Sequence, residues 1–297
     1  MVDIITELTY KTFQKSKVNF ALAHKRISTQ LRKSIHPNLK LNTKPLSAEI
    51  LKKMQQFIDE IIEKDLADGE KGIYPINLIF DHSWSDFLSC YPNIWLDMPK
   101  VWEKIQQKKY QEFSQEIDTQ DYPTYYLQNF HYQTDGYLSN MSANLYDLQV
   151  ELLFNGAADI MRRRILAPLK MGLEKLVSGQ NSDAIATQKL RVLDIACGTG
   201  RTLKFIRATL PKASLYGVDL SPNYLKKANK LLSEDLGELP QLLQGNAENL
   251  PFRAKYFQGI TCVFTFHELP PMVRQKVLEE AFLSLIHISE PTRLERI

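Results

Sequence analysis

The residue types best suited to chemistry lie in residues 190–203. This stretch begins with an apolar run typical of a buried parallel strand, and Asp194 stands near the end of that run. Ala196, Gly198 and Gly200 then form a turn with almost no side chains, and a helical pattern of apolar residues follows. A strand, a small-residue turn and a helix bring backbone N–H groups to a ligand at the helix N-terminus. The sequence therefore predicts a ligand-binding turn.

The spacing of the small residues separates two kinds of ligand. A nicotinamide dinucleotide site has the pattern Gly-x-Gly-x-x-Gly, but Leu203 stands where the third glycine would be. An acidic residue four positions before the first glycine is also foreign to that pattern. The stretch resembles motif I of class I S-adenosylmethionine (SAM) dependent methyltransferases, acid-x-Gly-x-Gly-x-Gly. Asp194, Gly198 and Gly200 match this motif, and Ala196 replaces its first glycine.

A second strand and helix follow the turn. Residues 214–218 predict a short apolar strand that ends at Asp219. Ser221 and Pro222 predict the cap and first turn of a helix that continues to Leu232. An acidic residue at the end of the second strand is placed to accept hydrogen bonds from ribose hydroxyls.

The same alternation continues toward the C-terminus. Residues 241–244 predict a third strand, and residues 257–264 predict a fourth. Residues 272–282 predict the next helix. Alternating strands and helices indicate a parallel sheet.

Three motifs in this order carry a family resemblance: Asp-Ile-Ala-Cys-Gly-Thr-Gly, Gly-Val-Asp-Leu-Ser and Gly-Asn-Ala-Glu-Asn-Leu-Pro-Phe. They are similar to the methyltransferase group that includes quinone C-methyltransferases, over residues 188–282. The resemblance implies that SAM is the cofactor. The longer N-terminal part resembles that of uncharacterised cyanobacterial and plastid methyltransferases, which implies no substrate.

The resemblance also implies roles for individual residues. The cofactor-binding residues would be Asp194, Ala196, Gly198 and Gly200 at the methionine and ribose end, Asp219 and Leu220 at the ribose, and Asn246 and Ala247 at the adenine. The family more often has Asp at the positions of Asn246 and Gln258. The amide oxygen of Asn246 can still accept a hydrogen bond from the adenine amino group, so the substitution would weaken binding without abolishing it.

The implied fold class is α/β, with a Rossmann-like SAM methyltransferase sheet that is truncated at its C-terminal end and a mainly helical N-terminal region. We expect a helical region over 1–120, a substrate-side loop, helical cap and linker over 121–187, and the SAM-binding domain over 188–282. The resemblance implies a sheet of seven strands, and the sequence predicts four of them. Residues 283–297 resemble a translated sequencing-library adapter, so we expect a non-native tail and an inactive truncated chain.

Three residues are candidates for a base beside the methyl acceptor. His267 follows the fourth predicted strand, at the mouth of an α/β site. The alternative for His267 is a loop residue without a catalytic role. His131 and Tyr132 lie in residues 121–136, an irregular stretch of alternating aromatic and polar side chains that predicts a substrate loop.

Metal chemistry is not predicted. The pair His267-Glu268 resembles the start of a zinc protease motif, but that motif needs a second histidine four residues after the first. Pro271 occupies this position.

Methyl transfer from SAM is a direct displacement, so the protein aligns the reactants, excludes water and removes a proton where needed.

The composition is that of a globular protein without unusual bias. The chain has 297 residues, 44% hydrophobic and 24% charged, with a net charge of +3. Its three cysteines form no close pair, which suits a reducing compartment. The N-terminus does not resemble a signal peptide and no run is long enough to cross a bilayer, so we expect a cytoplasmic protein.

The first 44 residues are basic, with nine Lys and Arg against two acidic residues. Phe20, His24, Ile27 and Leu31 fall on one helical face. One interpretation is an arm that contacts anionic lipid or RNA. The favoured one is the solvated face of an amphipathic helix.

Four local predictions concern the chain before the first strand. Ser47 is a predicted N-cap, and the helix that it starts should end before Gly69. The arginines at 162–164 could clamp an anion, but one helical turn cannot aim all three at one ligand, so we predict a solvated face. The polar stretch 179–188 predicts a linker.

The predicted function is SAM-dependent methyl transfer to a small-molecule acceptor of quinone or lipid type. One alternative is an RNA or protein methyltransferase, which the basic arm would suit. Another is a SAM-binding protein without turnover. A helical interaction module with a degenerate domain is the least favoured. The sequence does not identify the acceptor atom or the oligomeric state.

Overall fold

The computed structural model describes residues 3–39, 46–81, 84–178 and 189–286. The chain divides into two compact units, Met1–Arg164 and Ile165–Ile297. The first unit is helical, and the second contains a parallel sheet with helices. The predicted α/β fold class is therefore confirmed. The finer domain boundaries stay predictions, and the predicted linker at 179–188 lies outside the described residues.

The first unit consists of helices joined by turns. The helices are α1 (Ile4–Ile35), α2 (Ala48–Glu70), α3 (Trp84–Gln107), α4 (Asn140–Leu153) and α5 (Ala158–Arg163), with short 3-10 turns at Ile76–Phe80 and Phe130–Tyr132.

The ends of α2 illustrate one correct and one wrong prediction. The Ser47 side chain accepts a hydrogen bond of 3.3 Å from the Ile50 N–H, so the predicted N-cap is confirmed. The predicted end before Gly69 is wrong, because α2 continues through Gly69 to Glu70. A Cβ on Gly69 would lie 2.7 Å from Cδ1 of Ile76. Close packing, not helix termination, therefore explains this glycine.

The apolar face predicted for α1 is covered only in part. The buried residues of this helix extend from Tyr10 to His24. Ile27 is 53% exposed and Leu31 is 39% exposed, although both continue the same face. The apolar pattern therefore extends beyond the part of α1 that the rest of the unit covers.

A buried ion pair joins α2 and α5. Nε and Nη2 of Arg163 donate to the two carboxylate oxygens of Asp65 at 2.8 and 2.7 Å. The hydroxyls of Tyr10 and Tyr74 donate to the same carboxylate. Burial, followed by the charge of Asp65, raises the pKa of both tyrosines, so these hydroxyls stay protonated and remain donors.

The solvated face predicted for residues 162–164 is therefore wrong. Arg162 is 3% exposed and pairs with Asp159 at 2.9 Å and Asp147 at 3.2 Å. Arg164 is partly exposed and pairs with Asp68. Carboxylates on other helical turns compensate these buried charges, and the local helical pattern did not reveal them.

The second unit contains a four-stranded parallel sheet. Its elements are α6 (Leu166–Ser178), β1 (Arg191–Ile195), α7 (Arg201–Thr209), β2 (Ser214–Asp219), α8 (Pro222–Leu232), β3 (Gln241–Gln244), β4 (Gly259–Thr261) and α9 (Pro271–Ser284). The strand order is β3-β2-β1-β4. In this register Asp194 lies beside Gly217 and Thr261, and Asp219 lies beside Gln244.

The predicted strand at 257–264 is shorter in the structure. β4 covers Gly259–Thr261, and the chain turns at Phe264, whose φ is +62°. Within the described residues, β4 pairs along its length with β1, and a single parallel bridge joins Phe257 to Leu285. Residues 287–297, most of the predicted non-native tail, lie outside the described residues.

None of the helices within the described ranges combines the length and the apolar character needed to cross a membrane.

Candidate cofactor-binding site

The carboxyl ends of β1, β2 and β3 form the centre of the candidate site. These strands are parallel neighbours, so their ends meet at one edge of the sheet. Asp194 stands one residue before the end of β1, and Asp219 is the last residue of β2. Asn246 follows the end of β3 by two residues. Ligands of open α/β sheets bind at this edge.

The turn between β1 and α7 has an unusual backbone. The φ angles of Ala196, Gly198 and Gly200 are +54°, +55° and +82°. A Cβ added to Gly200 would lie 3.0 Å from Cβ of Ala228, so α7 and α8 pack closely there. A Cβ added to Gly198 would meet nothing nearer than Tyr224, at 3.9 Å. Gly200 therefore allows α7 and α8 to pack closely. The free space around the position of a Cβ on Gly198 leaves the backbone there accessible to a ligand.

Asp219 connects the ends of β1 and β2. Its Oδ2 accepts a hydrogen bond of 2.8 Å from the Gly198 N–H, and its Oδ1 accepts one of 2.9 Å from the Ser221 N–H. Burial raises the pKa of Asp219, and the backbone N–H donors oppose this shift. A carboxylate offers about four lone-pair sites, so Asp219 keeps acceptor capacity beyond these two bonds.

Asp194 has a partner on the neighbouring strand β4. The Thr261 hydroxyl donates to Oδ1 of Asp194 at 2.6 Å. Asp194 is 1% exposed and Thr261 is 8% exposed. Sequence analysis did not identify Thr261. The available signal was a single hydroxyl in an apolar strand, which becomes meaningful once β4 is known to lie beside β1.

Two cysteines adjoin these carboxylates. Burial raises the pKa of the Cys197 thiol, and the charges of Asp219 and Asp194 add to the shift. Burial, with the charge of Asp194, also raises the pKa of Cys262 to about 12. Both side chains are therefore neutral thiols near pH 7, unlike the thiolate that a nucleophilic cysteine requires.

The segment after β3 adopts a turn stabilised by Asn246. The Oδ1 atom of Asn246 accepts a hydrogen bond of 2.9 Å from the Glu248 N–H. Ala247 and Leu220 are both partly buried, and the Leu220 carbonyl accepts from Nε2 of Gln244 at 3.3 Å. The carboxamide of Asn246 is thereby oriented, and one lone pair of its oxygen stays available to a ligand.

His267 lies in the turn that follows β4. Its Nε2 lies 2.9 Å from Oε1 of Glu268, and 56% of its side chain is exposed. An exposed imidazole beside a carboxylate is chemically able to accept a proton and stabilise the resulting charge. Its catalytic role stays a prediction.

His131 and Tyr132 belong to the first unit. They lie in the 3-10 turn Phe130–Tyr132, where His131 is exposed and has a φ of +53°. Gln133, the next residue, is buried and donates from Nε2 to the Ser142 hydroxyl at 2.6 Å. The loop is therefore anchored immediately after the two candidates. Their catalytic role also stays a prediction.

Part of the chain is similar to known proteins. Residues 192–285 match the family model described as "Methyltransferase domain". The chain is 29% identical over 138 residues to the demethylmenaquinone methyltransferase of Thermotoga maritima, covering 46% of this chain and 51% of that protein. It is 34% identical over 110 residues to the ubiquinone/menaquinone biosynthesis C-methyltransferase of Syntrophotalea carbinolica, covering 34% and 45%. The YcgJ protein of Bacillus subtilis is a solved structure with 28% identity, 39% and 46% coverage and a TM-score of 0.29.

The C-terminal half of the chain therefore carries a class I SAM-dependent methyltransferase domain. This domain is distantly homologous to menaquinone and ubiquinone C-methyltransferases. The chain spans about half of the length of the Thermotoga maritima and Syntrophotalea carbinolica proteins.

Proposed function

We propose that the second unit binds SAM at the carboxyl ends of β1, β2 and β3, and that the whole protein transfers its methyl group to a small-molecule acceptor. The observation that carries this proposal is the contact between Asp219 and Gly198. It places a buried carboxylate with spare acceptor capacity beside an open backbone turn.

The residues present suit the chemical groups of SAM. Asp219 can accept hydrogen bonds from ribose hydroxyls. The space above Gly198 leaves room for the ligand to approach the backbone. The available lone pair of Asn246 can accept from the adenine amino group. Asp194, Ala196, Gly200, Leu220 and Ala247 complete the proposed cofactor site.

Bound SAM would supply a sulfonium methyl group that is already reactive. The protein residues would then align the acceptor with the methyl–sulfur bond and exclude water. An acceptor that carries a proton also needs a base. His267 is one candidate, because the carboxylate of Glu268 lies 2.9 Å from its ring nitrogen. His131 and Tyr132 are the other candidates.

We propose an acceptor of quinone or lipid type, since the named relatives are a demethylmenaquinone methyltransferase and a ubiquinone/menaquinone biosynthesis C-methyltransferase. An RNA or protein acceptor is the second hypothesis, which the basic N-terminal segment would suit. SAM binding without turnover is the third. SAM binding alone does not distinguish these hypotheses. The identity of the molecule that becomes methylated distinguishes them.

The first experiment is a calorimetric titration of the chain with SAM, followed by transfer of labelled methyl groups from SAM to quinone precursors, RNA or protein extracts. Binding with label in the quinone fraction supports the proposal. Label in RNA or protein would favour the second hypothesis. Binding without label in any fraction would agree with the third hypothesis and with the inactive chain expected from the sequence. An absence of SAM binding would contradict the proposed cofactor.

A second experiment tests the bases in a form of the protein that turns over. His131→Gln or Tyr132→Phe should lower turnover much more than SAM affinity if the loop selects the acceptor. His267→Gln should do the same if His267 removes a proton. A fall in SAM affinity with unchanged turnover per bound SAM would make the altered residue structural.

A further inference from the structure

The first unit exposes aliphatic side chains on both sides of the connection between α1 and α2. In α1 these are Ile27, Leu31 and Ile35, which are 53%, 39% and 49% exposed. In α2 they are Ile50, Leu51 and Met54, which are 45%, 54% and 43% exposed. These six residues are called the aliphatic surface below.

The aliphatic surface continues the buried faces of its two helices. In α1, the buried positions end at His24, and the same face then continues through Ile27, Leu31 and Ile35. In α2, the first buried residue is Ile58, one turn after Met54. Each helix thus has buried residues farther from the connection and exposed aliphatic residues at the end nearer to it. Exposed apolar side chains grouped in this way are typical of an interaction site.

Positive charge accompanies this surface. Residues 8–48 contain nine Lys and Arg and no acidic residue, and the exposed Glu49 that follows them pairs with Lys53 at 2.8 Å. Several of these cations are engaged within the unit, as Lys17 is with Glu151 at 3.1 Å. Arg26 and Lys33, which flank the aliphatic residues of α1, are exposed. Lys52 is exposed beside Leu51 in α2.

This combination fits an anionic lipid surface better than other partners. Interfacial helices insert aliphatic side chains into the headgroup region and place Lys and Arg near lipid phosphates. Single-stranded nucleic acids are bound largely by stacking on aromatic side chains. Among the exposed large hydrophobic residues of α1 and α2, Phe57, at 37% exposed, is the one aromatic. A second copy of the chain would bring the same positive charge to the interface and be repelled.

We infer that the aliphatic surface docks this protein on an anionic lipid bilayer, with Arg26, Lys33 and Lys52 close to the lipid phosphates. This inference goes beyond the proposed function and does not depend on it, because it concerns only α1 and α2. It also replaces the favoured interpretation of the basic segment as a merely solvated helix face.

Flotation of the full chain with lipid vesicles tests the inference. The chain should float with vesicles that contain phosphatidylglycerol and remain behind with vesicles of phosphatidylcholine alone. Added salt should weaken binding, because it screens exposed charges. The double variant Arg26→Gln/Lys33→Gln should lower the partition coefficient by about tenfold or more.

The aliphatic contribution is tested with matched variants. Ile27→Ser/Leu31→Ser should strongly reduce flotation. Leu88→Ser/Leu96→Ser in α3 is the control, since these leucines are 64% and 71% exposed but lie outside the aliphatic surface. Circular dichroism should show native helix content in each variant. If Ile27→Ser/Leu31→Ser loses helix content, the flotation of Arg26→Gln/Lys33→Gln decides whether the inference holds.

Three outcomes would overturn the inference. The first is equal flotation with neutral and anionic vesicles. The second is a loss in the α3 control as large as the loss in the α1 variant. The third is binding to RNA that the α1 variants weaken while vesicle binding stays unchanged, which would assign the surface to nucleic acid.

Discussion

The carboxylate of Asp219 accepts a hydrogen bond of 2.8 Å from the backbone N–H of Gly198. The two residues belong to the ends of neighbouring strands, since Gly198 follows β1 and Asp219 closes β2. This bond gives Asp219 two roles. It orders the turn after β1, and it holds acceptor atoms where a ligand that approaches Gly198 would meet them.

Asp219→Ala should weaken SAM binding by about 1–3 kcal/mol, because one or two hydrogen bonds to ribose would be lost. Isothermal titration calorimetry of the variant and the parent measures this difference. Glu234→Ala is the control, since Glu234 is exposed in the same unit. Equal SAM affinity in the Asp219 variant and the parent would contradict the assignment of this residue.

SAM affinity should depend on pH through Asp219. Burial raises the pKa of this carboxyl above its ordinary value of 3.8, and the charged form is the better acceptor. Affinity should therefore fall as pH decreases through the raised pKa, measured from neutral pH to about pH 4. The folding stability of the free protein should depend on pH in the opposite direction to SAM affinity. The stability that Asp219 contributes is present below its unfolded pKa and is lost as pH rises through its folded pKa. A similarly strong decline of affinity in Asp219→Asn would show that another group titrates.

Gly200→Ala should destabilise the second unit by about 1–3 kcal/mol, because a positive φ is unfavourable for alanine. The new Cβ would also lie 3.0 Å from Cβ of Ala228. Gly198→Ala is the matched comparison, with a positive φ and open space. It should keep more stability but lose SAM affinity. Thermal unfolding and SAM titration measure the two effects, and equal stabilities for the two variants would rule out the packing role of Gly200.

Thr261→Val should cost about 1–3 kcal/mol of stability, because it removes the donor that Asp194 uses at 2.6 Å while keeping the side-chain shape. Thr261→Ser should keep most of the stability, since it retains the hydroxyl. Urea unfolding of both variants measures the difference. If valine and serine have the same effect, the methyl group and not the hydroxyl matters at this position.

Asp65→Asn should destabilise the first unit by about 3–5 kcal/mol, because it leaves the buried Arg163 without its carboxylate. The double variant Asp65→Leu/Arg163→Met should recover much of this loss by removing both charges. Asp68→Asn is the control, since its pair with Arg164 is partly exposed and should contribute about 0–1 kcal/mol. Urea unfolding measures each change. A single Asp65 variant as stable as the parent would contradict the proposed importance of this pair.

Local sequence signals were sufficient to predict most strands and helices of the second unit in their chain order. The strand at Ser214–Asp219 and the helix at Pro222–Leu232 agree with the predicted segments. Their signals are local: apolar runs, a capping serine and a first-turn proline act within a few residues of each other. The parallel sheet followed from their alternation, so the carboxyl ends of the strands could be predicted to meet.

The pairing and the exposure of side chains depend on long-range packing, which local sequence signals do not reveal. The pairing of Thr261 with Asp194 and of Arg163 with Asp65 joins residues that are 67 and 98 positions apart. Helical spacing indicates on which face of its own helix a residue lies. It does not identify the carboxylate on another helix with which that residue pairs. Ile27 and Leu31 have the pattern of a buried face, yet they are exposed because the packing that buries α1 between Tyr10 and His24 does not extend to them.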